Sequence, residues 1–357
     1  MIKLNTNLVK DKPVTITTIA KELGLSHVTI SNVLSGQAKK RKVSDRTALK
    51  VRQTAKRLGY VPNHWARSLK RNKTGIISVL FPDLRLGWAD TVMKGIMGVL
   101  GPTDYTPIIS LHGQIPFLTH GDNGYQRKEI VSILQRRDEG VICHPINAAL
   151  EDYLLLINAG IPVTFIGALP EDMTCLENVN SVTWDCEPAA KTAVQHLIQT
   201  GRQRIGFFGG RNGVQSDNIR YNAYVQALEE AGLEVNKKWI TWGPTHAQSV
   251  VEQMESMFFG AKERPDAFFA LNDAGAMTLL NILGSLDLRV PEDVAVIGMG
   301  DLPIARHHTT NLTTMHEPLE EMGREAVKVV LTQIEKSDRT PIHRKISCKE
   351  LKIRQTA

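Results

Sequence analysis

An alternation of short apolar runs with amphipathic stretches, beginning at Gly75, constrains the fold of this chain more than any other feature. The apolar runs are strand candidates: Ile76–Phe81, Thr106–Leu111, Gly140–Cys143, Pro162–Ile166, Arg204–Phe208, Ala267–Ala270 and Val294–Ile297. The helix candidates between them are Asp90–Leu100, Tyr125–Arg136, Pro188–Thr200, Ile219–Ala231 and Ala274–Leu283. This alternation is typical of a parallel sheet covered on both faces. Because there are too many units for one open sheet, we predict two Rossmann-like α/β lobes with a ligand between them, at the carboxyl ends of the strands.

The charge of the chain is divided unevenly along its length. Residues 1–75 contain 17 Lys/Arg and 3 Asp/Glu, whereas residues 76–357 contain 26 Lys/Arg and 34 Asp/Glu. A basic segment joined to an acidic one is typical of a nucleic-acid-binding module attached to a part with another task. A solvated basic tail would have the same composition, so the local pattern has to decide between the two interpretations.

That local pattern predicts two short helices joined by a tight turn. Residues Val14–Leu34 read VTITTIAKELGLSHVTISNVL. We predict that Thr17 caps the first helix and that Ser26 caps the second, because their hydroxyls can accept amide protons that a first turn leaves unpaired. Gly24 lies between the helices, where a left-handed backbone favours glycine. In a basic context this arrangement indicates a helix-turn-helix motif.

The second helix of such a motif enters the major groove of DNA, so its outward side chains are the candidates for contacting bases. We predict this role for His27, Val28 and Asn32, since Asn can pair with adenine through two hydrogen bonds and Val suits a thymine methyl group. Short hydroxyl side chains nearby suit phosphate oxygens, which position the module without reading sequence. These phosphate candidates are Thr15, Thr17, Ser26, Thr29 and Ser31.

Three further features follow the helix pair. Ser44 is predicted to cap a third helix that holds the first two together. The cationic run KKRK at residues 39–42 either contacts phosphates or is a solvated loop. After Pro62, Asn63 can cap a stretch of only two turns, too short to be stable alone. Its Leu69 either packs on the rest of the protein or wedges between base pairs from the minor groove.

Several functional classes find no support in the sequence. It contains no GxGxxG or GxxxxGK[ST] phosphate loop, no HExxH or GxSxG motif, and no uninterrupted apolar run of membrane-spanning length. The four cysteines lack CxxC spacing, and the amino terminus lacks the apolar centre of a signal peptide. We therefore expect no catalytic residues, no metal, no cofactor and no membrane partner, and a cytoplasmic location. The rival interpretations are a sugar-transport component and an α/β enzyme with a DNA-binding appendage.

The motifs of the amino-terminal segment resemble those of the lac repressor and gal repressor (LacI/GalR) family of bacterial transcription regulators. The resemblance is carried by Val14–Leu34, Val43–Ser44, Leu58-Gly59-Tyr60-Val61-Pro62-Asn63 and Ala66-Arg67-Ser68-Leu69. It implies a repressor that binds a pseudo-palindromic operator as a homodimer or tetramer, near the bacterial nucleoid. It also implies a periplasmic-binding-protein-like body whose chain crosses between the lobes three times. On this basis we add Ser44, Asn63, Ala66 and Leu69 to the DNA-binding residues.

The same resemblance assigns candidates for an effector-binding cleft, and for each of them the alternative is a role as a helix cap or in the core. They are Trp88, Arg220, Asn272, Asp273, Asp301 and Glu317. At two positions where the family commonly has an acidic residue this chain has glycine, Gly167 and Gly300. A cleft that keeps Arg220 but lacks those two carboxylates repels an anion less. We therefore expect a sugar-like effector that is acidic or phosphorylated, with a neutral sugar as the alternative.

These interpretations divide the chain into three parts, the head, the hinge and the body. The head is the helix-turn-helix domain, residues 14–62; the hinge is the linker, residues 63–74; and the body is the two-lobed effector-binding and dimerisation domain, residues 75–357. The sequence predicts operator DNA, a small effector and a second copy of the chain as partners. It leaves open whether the effector releases the operator or is needed to bind it.

Overall fold

A computed structural model describes residues 13–61, 73–81, 87–111, 124–145, 150–169, 179–210, 214–243, 248–259, 262–336 and 340–357. The chain divides into two compact units, Met1–Thr74 and Gly75–Ala357. Among the described residues, no helix has the length and apolar character needed to cross a membrane.

The first unit contains three helices around one small core: α1 (Ile16–Leu23), α2 (His27–Leu34) and α3 (Asp45–Leu58). Its buried apolar side chains come from all three helices and from the loop before α3. Gly24 has the predicted left-handed backbone, with φ +64°, and Ser26 and Ser44 cap α2 and α3 as predicted.

The predicted cap of the first helix was wrong. Thr15, not Thr17, is the N-cap of α1: its hydroxyl accepts from the amide of Thr18, and the Thr18 side chain accepts from the amide of Thr15. This reciprocal pair is a capping box. Thr17 lies within the first turn of the helix, with its side chain exposed.

The second unit contains two six-stranded sheets, each forming one lobe. In the first sheet the strands are β1 (Ile76–Phe81), β2 (Thr106–Leu111), β3 (Gly140–Cys143), β4 (Val163–Ile166), β5 (Asn180–Trp184) and β11 (His343–Ile346). They lie in the order β11-β5-β4-β3-β1-β2, and all of the pairs are parallel. The helices of this lobe are α4 (Gly87–Leu100), α5 (Gly124–Arg136) and α6 (Leu150–Asn158).

The second sheet has the same design. Its strands are β6 (Ile205–Phe208), β7 (Ile240–Thr241), β8 (Ala267–Ala270), β9 (Ala295–Gly300), β10 (Thr313–His316) and β12 (Leu351–Lys352), in the order β12-β10-β9-β8-β6-β7. Only the β10–β12 pair among them is antiparallel. The helices here are α7 (Cys186–Gln199), α8 (Gln215–Glu230), α9 (Gln248–Phe258) and α10 (Asp273–Ser285), with short 3₁₀ turns at Lys237–Trp239 and Pro303–Arg306.

The chain crosses between the two sheets three times, as the resemblance implied. The crossings follow β5, β10 and β11, and the second contains the long helix α11 (Leu319–Glu335). This helix packs very closely on α4 through two glycines: a Cβ on Gly95 would lie 2.0 Å from the carbonyl oxygen of Glu320, and a Cβ on Gly323 would lie 2.2 Å from that of Val92. The crossing helix is thereby fixed to the first lobe.

Candidate nucleic-acid interface and ligand cleft

The outer face of α2 presents the three predicted base-reading residues together. His27 and Val28 are exposed, and the Val28 side chain is 68% accessible although it is apolar. With Ile16, Ser31 and Asn32 these two residues line a shallow depression of about 330 Å³. The inner face of the same helix buries Ile30 and Val33 in the core of the unit. The helix is therefore anchored on one side and offers donors, acceptors and an apolar patch on the other.

Most of the predicted phosphate-contacting hydroxyls lie at the amino ends of the helices, whereas Ser31 lies in the second half of α2. Ser26 accepts from the amide of Thr29, and their hydroxyls lie 2.9 Å apart. Ser44 makes the same contacts with Thr47. A helix amino terminus carries partial positive charge and orients amides outward, so these exposed caps suit an anion such as a phosphate.

The cationic run between α2 and α3 is held by an anchored turn. Ala38 is buried in the core of the unit, and its carbonyl accepts from the amide of Val43. The four cations at residues 39–42 are all exposed. The loop thus adds a basic edge to the unit that carries the face of α2. Asn63, Ala66 and Leu69 lie outside the described residues.

In the second unit, Arg220 and Glu317 come together although 97 positions separate them. Arg220 lies in the second turn of α8, which begins at Gln215 rather than at the predicted Ile219. One of its terminal nitrogens donates to the carbonyl of Leu271 at 2.9 Å, and the other lies 3.3 Å from a carboxylate oxygen of Glu317. Among the described residues its buried Nε has no hydrogen-bond partner.

Burial governs the electrostatics of this pair. It raises the pKa of Glu317 even though Arg220 acts in the opposite direction. Burial alone would lower the pKa of Arg220, but the neighbouring Glu317 and Cys186 raise it above its usual range. Burial also raises the pKa of the Cys186 thiol. Arg220 therefore stays charged beside a carboxylate that can take up a proton more easily than usual.

Asn272 and Asp273 both make hydrogen bonds within the second lobe. Asn272 caps α10 by accepting from the amide of Gly275 at 2.8 Å. Asp273 is fully buried and accepts from the amide of Leu302 and the hydroxyl of Thr314, at 2.7 and 2.5 Å. Desolvation raises its pKa to about 6.

The carboxylate of Asp301, by contrast, makes hydrogen bonds with several basic side chains. It accepts from Arg306 and Arg354 and lies 3.2 Å from Nδ1 of His316. Burial opposes ionisation, but these hydrogen bonds hold the pKa of Asp301 well below its usual range. The residue just before it, Gly300, has φ +143°, and a Cβ there would lie 3.0 Å from Asp273. A side chain at position 300 would therefore be strained and crowded.

Trp88, in the first turn of α4, meets a residue that the sequence analysis missed. Its ring lies edge-on to Phe81 and stacks at a tilt on His144, with ring centroids 5.7 and 4.5 Å apart. His144 directly follows β3, and a Cβ on Gly167 would lie 2.9 Å from its Nε2. An imidazole thus fills the space beside the glycine that replaces an expected carboxylate. The sequence signal that could have identified His144 is its position directly after a buried strand.

Three aromatic residues of the second unit were also missed, one of them beside Arg220. Its guanidinium carbon lies 5.8 Å from the ring centroid of Trp184, at the end of β5. Next to Arg220 in the chain, Tyr221 packs edge-on against Trp242, which follows β7. Position at a strand's carboxyl end could have identified both tryptophans. An aromatic face beside paired donors and acceptors, as Trp184 provides, can bind a polyhydroxylated ring.

Comparisons with known proteins agree on both units. Residues 15–63 match the bacterial regulatory proteins of the lacI family, and residues 194–357 match the periplasmic binding protein-like domain. The chain is 30% identical to the HTH-type transcriptional repressor PurR of Serratia proteamaculans, over 93% of this chain and 95% of that one. It is 29% identical to PurR of Photobacterium profundum, over 90% and 92%.

Solved structures share the fold. The lac repressor dimer bound to operator and the anti-inducer ONPF is 21% identical with a TM-score of 0.80, and the match covers 97% of this chain and 99% of that one. The transcriptional regulator CelR in complex with cellobiose is 24% identical with a TM-score of 0.68, and the match covers 96% and 100%. At these identities the likeness concerns architecture alone.

Proposed function

This chain belongs to the LacI family of bacterial regulatory proteins, and from that premise we propose how it reads DNA and what it senses. It is a DNA-binding transcriptional repressor regulated by a ligand, and not an enzyme. The observation that carries the proposal for DNA is the outward face of α2, where an exposed Val28 stands beside His27 and Asn32.

We assign that face to the major groove of the operator. Asn32 suits adenine, Val28 a thymine methyl group, and His27 either a donor or an acceptor on a base edge. The capping hydroxyls and the basic edge at residues 39–42 then face phosphates, together with Thr17 and Ser31. For the hinge the proposal rests on sequence: Asn63 begins it, Ala66 faces DNA, and Leu69 enters the minor groove as a wedge.

Two variants separate base reading from phosphate contact. Operators are first selected from a random duplex library with the full chain. Asn32→Ala should relax the preference at one base position of each half-site, because one bidentate contact discriminates by about 1–3 kcal/mol. Lys40→Ala should weaken binding to all duplexes alike and reduce the salt dependence. Unchanged base preference in Asn32→Ala would overturn the assignment of α2.

For the effector we propose a small sugar-like molecule at Arg220, and an acidic or phosphorylated sugar in particular. Three features favour an anion: the buried Nε of Arg220, which has no hydrogen-bond partner among the described residues, the glycines at positions 167 and 300, and the imidazole of His144. A planar guanidinium can bind two oxygens of a carboxylate or phosphate at once.

A neutral sugar is the second candidate, and Glu317 is the observation that favours it. Its carboxylate already balances the charge of Arg220 at 3.3 Å. The pair would offer donors and an acceptor to neighbouring hydroxyl groups, with Trp184 as an apolar face. An anion would have to displace Glu317 or bind while that carboxyl is protonated.

The substitution Glu317→Gln distinguishes the candidates by the sign of its effect. Calorimetric titration compares gluconate, glucuronate and glucose 6-phosphate with glucose and cellobiose. If the effector is anionic, removing the competing carboxylate should tighten binding, whereas a neutral effector should bind more weakly because it loses a charged acceptor. Heat from neutral sugars alone would discard the acid proposal, and binding unaffected by Arg220→Lys would discard the site.

We also propose that two copies associate through the first lobe. Its terminal strand β2 exposes Ile109 and Leu111, which are 43% and 46% accessible, and α4 exposes Met97. Apolar side chains on an edge strand invite pairing with another chain. Sedimentation equilibrium should show a dimer, and Ile109→Lys should shift it towards monomer. A monomeric wild type at operator-binding concentrations would contradict this proposal.

A further inference from the structure

The carboxylate of Glu139 holds the first residue of the body. Its Oε1 accepts from the backbone amide of Gly75 at 2.6 Å, and its Oε2 accepts from the hydroxyl of Tyr105 at 3.3 Å. The carbonyl of Gly75 in turn accepts from the amide of Thr106 at 2.7 Å. Both backbone polar groups of Gly75, the residue that directly follows the hinge, are therefore held by the body.

Two adjacent strands connect this contact with the cleft. β1 begins after Gly75 and β3 begins after Glu139, and the two strands are parallel, with Ile77 opposite Gly140. At their other ends lie Phe81, which contacts Trp88, and His144, which stacks on Trp88. Every residue of both strands is buried. At about 3.3 Å per residue, β1 spans roughly 20 Å of rigid structure between the two places.

We propose that Glu139 is a positioning residue for operator binding, which fixes the point where the hinge leaves the body. A change at Trp88 and His144 would reach the hinge through β1 and β3, and Glu139 would convert a shift of these strands into a shift of Gly75. The proton of Tyr105 supports this arrangement: burial and the neighbouring Glu139 raise its pKa to about 12, so the hydroxyl remains a donor to the carboxylate. The inference rests on the proposed DNA-binding function.

The test compares three variants of the full chain on the selected operator. Glu139→Ala removes both contacts and should weaken specific binding about tenfold, given the strength of a hydrogen bond to a charged group. Glu139→Gln keeps an acceptor for the Gly75 amide and should stay within about threefold of wild type. Glu151→Ala, an exposed acid on α6 of the same lobe, is the matched control and should change nothing.

Three readouts separate positioning from simple destabilisation. Hydrogen exchange at the Gly75 amide should speed up in Glu139→Ala, while binding to random duplex, which depends on the basic head, should stay at the wild-type level. If Glu139→Ala does not fold, Tyr105→Phe decides, with an expected loss of two- to threefold in operator affinity. Faster exchange at Gly75 with unchanged operator affinity would overturn the inference. A wild type that prefers no duplex would instead overturn the proposed function, before any variant is compared.

Discussion

Replacing Val28 by alanine should weaken operator binding by an amount that the structure sets. The substitution removes two carbon groups, each worth about 0.8 kcal/mol when buried. Because the side chain is 68% accessible in the free protein, about two thirds of that area remains to be covered by DNA. The expected loss is about 1.1 kcal/mol, or roughly sixfold in affinity.

Fluorescence anisotropy on the selected operator measures this loss, and a modified duplex tests its cause. If Val28 covers a thymine methyl group, replacing the contacted thymine by uracil should remove most of the difference between wild type and Val28→Ala. Leu49→Ala on α3, where the side chain is 56% accessible, is the matched control and should not affect binding. Both melting temperatures should stay near the wild type, since exposed substitutions alter stability by less than about 0.5 kcal/mol. A loss below twofold, or an equal loss on both duplexes, would refute the reasoning.

Three other predictions concern the hinge, the lobe contact and a buried acid. Leu69→Ala should sharply reduce operator affinity and leave calorimetric effector binding intact; equal operator affinity would refute the wedge. Gly95→Ala should destabilise the body by about 1–3 kcal/mol through overpacking against Glu320, whereas Gly98→Ala on the same helix, where a Cβ meets nothing within 4 Å, should be neutral or stabilising in chemical denaturation. Because the pKa of Asp273 is raised to about 6, its stabilising effect is complete below its unfolded pKa and is lost as pH rises through 6. The stability of wild type relative to Asp273→Asn should therefore fall as the pH rises from 3.8 to about 6 and change little above that, and a constant difference across this range would contradict the raised pKa.

The head was predictable because its signals are local. Gly24, Ser26 and Ser44 each act on the backbone within a few residues, and each has the predicted role. The error at Thr17 arose within the same segment, where Thr15, Thr17 and Thr18 follow one another closely at the start of the helix. Only the reciprocal contact with Thr18 selects Thr15 as the cap.

In the body, the sequence predicted the apolar strands but not the strands that carry polar side chains. β5 reads NSVTW and received no assignment, because its polar side chains are satisfied by distant partners. Asn180 donates to the carbonyl of Val163, and the hydroxyl of Ser181 lies 2.8 Å from Nδ1 of His343 in β11. The same holds for Thr314 in β10, whose hydroxyl donates to Asp273. Such contacts depend on the tertiary fold and leave no periodic pattern in the sequence.

The same limit applies to the cleft. Sequence identified Arg220 and Glu317 one by one, but their pairing across the second crossing follows from the topology. The sequence also could not show that the carboxylates of Asp273 and Asp301 accept hydrogen bonds from other residues of the body. Nor could it show that His144 fills the space beside Gly167. The sequence therefore predicted which residues are candidates for the cleft, but not which side chains each charged group contacts.

The head should bind one specific duplex sequence, and a comparison of two affinities tests this most directly. The affinity of the full chain for its selected operator is compared with that for random duplex at one moderate salt concentration. We predict a two-fold-symmetric sequence bound at least about 10³ times more tightly than the random competitor. Equal affinities for the two duplexes would contradict the account.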